Sequence, residues 1–106
     1  MRSLIIISTT FEEKEDGLKV AGMLLQEKLV ACAQLSGPIA SCYHWHDKVV
    51  TATEYILTLK TIPPLYTKVE KRLKEIHPYE VPEIICSETA RVSSDYLHWV
   101  ESEVSK

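Results

Sequence analysis

The chain has 106 residues, of which 45% are apolar and 25% charged, with three Gly and five Pro. Such a composition describes one globular domain over residues 1–106 and excludes disorder and collagen-like repeats. Twelve basic side chains against fifteen acidic ones leave a formal charge of -3, so no broad positive field draws a phosphate backbone and nucleic acid is not an expected partner. No apolar run approaches the roughly 20 residues that cross a bilayer. Met1-Arg2-Ser3 leads straight into Leu4–Ile7 and then Ser8-Thr9-Thr10, which is not the layout of a secretory leader, so a cytoplasmic location is the default expectation. Cys32, Cys42 and Cys86 are odd in number and contain no Cys-x-x-Cys pair, which argues against a disulfide framework or a thiolate zinc site.

The β-branched run from Leu4 to Thr9 predicts a first strand in the middle of a sheet. Thr10 and Glu13 have capping-box spacing, with Glu12, Glu13, Glu15 and Asp16 gathered in a first turn, so a helix is expected from about Phe11. Its apolar face is expected along Leu18, Ala21, Leu25 and Leu29, and Gly17 and Gly22 suggest close contact with a sheet. A second strand begins near Val30 and resumes over Ser41–Trp45, with a bend or bulge at Gly37. His46-Asp47-Lys48 supplies a turn, and the chain runs back to Lys60 as a third strand, making a hairpin far longer than usual. Thr61 is a candidate cap for a helix carrying Pro63 and Pro64 in its first turn and Leu65, Val69, Leu73 and Ile76 on its inner face. Pro78 ends that helix at His77, Tyr79–Pro82 forms a stiff link, and Glu83–Glu88 is the fourth strand. Ser93 or Ser94 caps a last helix, with Val92, Tyr96, Trp99 or Val100, and Val104 expected inside.

The order β-α-β-β-α-β plus a C-terminal helix predicts an α+β fold, a ferredoxin-like sandwich with an extended hairpin between its second and third strands. So long a hairpin overhangs the compact part and leaves backbone groups unpaired, and other copies of the chain are the natural cover.

Three groups of residues carry candidate chemistry. Cys42, His44 and His46 alternate, so on a strand they share a face and offer a thiol and two imidazoles to copper or zinc, unless His46 already lies in the turn. The alternative is a small apolar Cys beside two solvated imidazoles. Tyr43 and Trp45 point to the opposite face and suit a subunit interface or a pocket. His77-Pro78-Tyr79-Glu80-Val81-Pro82-Glu83 places an imidazole, a phenol and carboxylates on a proline-stiffened segment, which either builds a site or simply turns the chain. Lys60-Thr61 beside a helix start can receive an anion. No Gly-rich phosphate loop and no activated nucleophile are present.

The segments Leu29–Ala33, Ser41–Trp45, Glu54 with Leu59-Lys60-Thr61, His77–Ile85 and Tyr96–Trp99 resemble, in order and over nearly the whole chain, those of the CutA divalent-cation tolerance proteins. The resemblance implies a PII-like homotrimer in which long hairpins pair between subunits, a role in tolerance of copper and other divalent cations, and no settled enzymatic activity or organic cofactor. It also implies that Cys32, Tyr43, Trp45, Glu54, Lys60, His77, Tyr79 and Glu83 gather in a cleft between subunits. The chain departs from the family pattern after Trp45, where His46-Asp47 replaces the common Glu-Gly.

The leading expectation is therefore a non-enzymatic trimer that binds Cu(II) or another divalent cation through residues drawn from Cys32, Cys42, His44, His46 and His77. Two rivals stand beside it. One is a small-molecule sensor or scaffold holding an anionic or zwitterionic ligand in the cleft. The other is an enzyme with His77 as general base oriented by Glu80 or Glu83.

Overall fold

The computed structural model describes residues 2–105. Strand β1 (Ile5–Phe11) leads to helix α1 (Lys14–Gln26), then to strands β2 (Cys32–Trp45) and β3 (Lys48–Thr61). A short 3-10 turn, Pro63–Leu65, opens helix α2 (Tyr66–Ile76), followed by strand β4 (Ile85–Glu88) and helix α3 (Ser94–Glu103). The sheet is antiparallel with the order β2-β3-β1-β4, which is the expected α+β, ferredoxin-like arrangement. No described helix is long and apolar enough to cross a membrane.

Alternation along β1 and β3 sends Ile5, Ile7, Phe11, Leu57 and Leu59 to one face, where they meet Val20, Ala21 and Leu24 of α1 and Val69 and Leu73 of α2. A second cluster gathers Leu4, Ile62, Leu65, Leu97, Val100 and Val104 under α3. One predicted helix face is corrected. On α1 the buried stripe is Gly17, Val20, Ala21 and Leu24, while Leu18 and Leu25 are exposed. Gly17 decides this rotation: a Cβ there would lie 2.8 Å from Leu35 Cδ1 and 3.3 Å from Phe11 Cδ2, so only a bare backbone comes this close to the sheet. Gly22 has nothing within 4 Å of the equivalent point and makes no such contact. On α3 the expected face holds: Val100 and Val104 are buried, Val92 and Tyr96 pack against the same cluster, Leu97 joins them, and Trp99, the alternative to Val100, is exposed.

The predicted caps divide in the same way. Ser93 accepts from the Tyr96 N–H at 3.2 Å and caps α3. Thr10 instead belongs to β1, opposite Ile56, and α1 begins after Glu13 with no side-chain cap. Thr61 is the last residue of β3, fully buried, and its hydroxyl donates to the Leu29 carbonyl at 2.7 Å. In both cases the ladder claims a residue that local spacing had assigned to a helix end.

β2 and β3 have 14 residues each, about 45 Å of ribbon at the usual rise per residue, against a longest molecular dimension of 44 Å. The register slips between Ser36 and Ile39, the bulge expected at Gly37. Gly37 has φ +137°, and the Gly37–Pro38 peptide is cis. A two-residue turn closes the ribbon, with His46 at φ 50° and Asp47 at φ 62°, the left-handed pair that matches strand twist. β1 pairs with β3 only over Tyr55–Thr61, so Lys48–Glu54 has no strand on that side among the described residues. β4 is shorter than expected, starting at Ile85 rather than Glu83, and is exposed throughout.

Candidate ligand groove

The segment between α2 and β4 runs back toward the overhanging ribbon, and the two enclose a cavity of about 660 Å³. Ser41, Cys42, Tyr43, His44, Trp45 and Glu54 form the ribbon wall, Pro78, Tyr79, Glu80, Val81 and Glu83 the opposite wall, and Thr10 lies between them. Five residues expected in a cleft, Tyr43, Trp45, Glu54, Tyr79 and Glu83, are thereby brought together.

His77 holds the second wall without lining the cavity. Only 8% exposed, it stacks on Phe11 with ring centroids 4.3 Å apart and planes 11° from parallel. Its Nδ1 accepts the Tyr79 N–H at 3.0 Å and its Nε2 sits 2.9 Å from the Thr10 carbonyl oxygen. An N–H on one side and a carbonyl on the other fix the tautomer: Nε2 carries the proton and Nδ1 is bare. Burial pushes the His77 pKa below its ordinary 6.5, against smaller upward pulls from the Thr10 carbonyl, Asp16 and Glu54. Both nitrogens are used within the chain, so His77 offers neither a free metal ligand nor a free general base.

Tyr79, placed by His77, donates its hydroxyl to Glu54 Oε2 at 2.6 Å and ties one wall to the other. Burial, followed by the neighbouring Glu54 carboxylate, pushes the phenol well above its usual range. Glu54 is itself only 7% exposed, and Oε1 takes no hydrogen bond from the described chain.

Cys32 and Lys60 are elsewhere. They face each other across β2 and β3, six positions from Glu54 along the strand and therefore about 20 Å away. There the Lys60 Nζ sits 5.8 Å from the centre of the Tyr96 ring, a cation–π distance. One copy of the chain thus splits the expected cleft residues into two groups.

The candidate metal ligands are also divided. Cys42 and His44 share a strand face, with Cys42 Sγ 3.5 Å from Thr51 Oγ1. His46 is in the turn, its ring edge-on to Trp45 at 4.9 Å, so the strand alternation does not reach it. Among the described residues, no three His, Cys, Asp or Glu side chains are grouped to hold a metal ion. Sequence reasoning missed Ser41 and Thr10 as lining residues and held Glu80 and Val81 only as parts of the His77–Glu83 segment. The proline-bracketed segment was the available signal for Glu80 and Val81.

The sequence model of the CutA1 divalent ion tolerance protein family matches residues 5–103. The chain belongs to that family. The divalent-cation tolerance protein CutA of Pyrococcus horikoshii is 41% identical over 103 residues, covering 97% of this chain and all of the relative. That of Thermus thermophilus is 33% identical over 95 residues, covering 90% and 92%. Among solved structures, CutA1 from Ehrlichia chaffeensis superposes with a TM-score of 0.94 at 30% identity, over 100% of this chain and 99% of its own. CutA1 from Oryza sativa does so at 0.94 and 33% identity, over 98% and 95%.

Proposed function

We propose that this CutA-family protein is a non-enzymatic, self-associating binder of divalent cations, Cu(II) foremost, and that the groove beside its long ribbon is where they are held. The observation that carries the reading is the charge of the lining, Glu54, Glu80 and Glu83 with no Lys or Arg, while Cys42 and His44 offer a thiol and an imidazole from the other face of the same ribbon. Carboxylates attract divalent ions in general, and the thiol and imidazole of the Cys42–His44 face favour a borderline or soft one. Two open features of one copy, the unpaired flank of Lys48–Glu54 and the exposed edge of β4, support self-association, for which we propose three copies. In such an assembly a neighbour's Cys32–Lys60–Tyr96 corner can complete the groove, and its ligands can add to Cys42 and His44. The anionic-ligand reading lacks support in one copy, since Lys60 is about 20 Å from Glu54.

Native mass spectrometry and equilibrium dialysis test this together. The expected result is three copies that bind Cu(II), with the Cys42→Ser/His44→Ala variant losing affinity at least tenfold. A chain that stays single, or copper affinity unchanged in that variant, overturns the reading.

A further inference from the structure

We propose that the inner part of the groove takes an organic ammonium ion, a positively charged nitrogen on a short apolar stem. The inference rests on the reading of the groove as a cation site and names a second class of cation for it. A bare metal ion needs several donors converging within about 2.0–2.6 Å, and no three candidate side chains are so grouped among the described residues. What the groove offers is room for several heavy atoms, about 660 Å³, and two kinds of wall that together fit an alkylammonium group.

The first is aromatic. Tyr43 and Trp45 alternate onto one face of the ribbon and are 41% and 48% exposed, and Tyr79 stands on the opposite wall. Ring faces attract ammonium groups and bury their stems at once, which a hydrated metal ion cannot exploit as well. The second is anionic. Glu54 is more than nine-tenths buried, spends Oε2 on the Tyr79 hydroxyl, and retains Oε1 as an acceptor. That bond also fixes the carboxylate beside the ring, so the charge and the aromatic surface are preorganised with respect to each other. No lining cation competes for Glu54, and Glu80 and Glu83 add negative charge around it. An anionic ligand meets repulsion here, and a neutral one leaves Glu54 Oε1 without a donor.

Calorimetric titration of the native assembly with n-butylammonium, 1-butanol, butyrate and, separately, Cu(II) tests the assignment. Saturable binding of n-butylammonium at least tenfold tighter than 1-butanol, with butyrate not bound, is the expected result. Glu54→Gln keeps an acceptor for Tyr79 but removes the charge, and Trp45→Leu alters only an exposed ring. Each is expected to weaken the ammonium at least tenfold while 1-butanol is unaffected. If Cu(II) binds and n-butylammonium does not, the inference fails while the metal reading stands. If n-butylammonium binds as expected and Cu(II) does not, the metal reading fails and the inference stands. If neither binds, both fail, as they do if a neighbouring copy fills the groove.

Discussion

The two ends of the β2–β3 ribbon are the same structure held by different forces. At the end that pairs with β1, Leu57 and Leu59 are completely buried and the sheet is pinned by α1 and α2. Beyond Glu54, the ribbon has its own ladder and its turn, with Trp45 and Val49 exposed at 48% and 71%. Hydrogen bonds alone contribute little net stability in water, so the first end is where the fold is anchored. The second presents its side chains to a ligand or to another copy, and the groove residues come mostly from it.

The largest effects are expected at the anchored end. Leu57→Ala should lower stability in urea by about 2–5 kcal/mol, independent of protein concentration. Val49→Thr, at the far end, should change the chain's own stability by less than about 0.5 kcal/mol and show itself as a shift in self-association. A concentration-independent loss at Val49 as large as that at Leu57 would erase the contrast.

Gly37 joins the two ends, and its replacement should have an intermediate effect. At φ +137° a Cβ would sit 2.8 Å from Tyr55 Cδ2 and 3.0 Å from the Glu54 carbonyl oxygen. Gly37→Ala should therefore cost about 1–3 kcal/mol and, by displacing Glu54, weaken binding in the groove more than it weakens the fold's core.

A further effect, confined to the two ends of the range, should be that of pH. His77 is buried neutral with a lowered pKa, so between its folded value and 6.5 the unfolded chain binds more protons. Its contribution is fully present above about pH 6.5 and is lost as pH falls below that. Tyr79 has a raised pKa, so its contribution is present below about pH 10 and lost above it. Thermal stability should thus plateau between these limits, with His77→Gln flattening the acid limb and Tyr79→Phe the alkaline one. Both limbs report the segment that closes the groove, and a wild-type acid limb identical to that of His77→Gln would show that His77 is not held as described.

Much of the candidate site was legible in residue order. Tyr43, Trp45, Glu54, Tyr79 and Glu83, which the family resemblance implied for a cleft between subunits, line one groove within a single copy, and strand alternation and proline stiffening are the local properties that aim Tyr43, Trp45 and Tyr79. His77 was legible as important but not in its role. Its two hydrogen bonds and its stack on Phe11 come from β1 and from its own segment folded together, and spacing cannot show that both nitrogens are spoken for. Cys32 and Lys60 were placed with the others, yet strand length puts them at another corner of a single copy.

By itself, the order of periodic segments determined the antiparallel α+β fold, the overlong ribbon with its bulge at Gly37, and the end of α2 before Pro78. These follow from dihedral preferences and hydrophobic spacing, which act within a few residues. Which stripe of α1 faces inward, whether Thr10 and Thr61 serve a helix or a strand, and which polar residues share a groove were decided only in three dimensions. Each depends on a surface made by residues distant in the chain, and such a surface exists only once the sheet has formed.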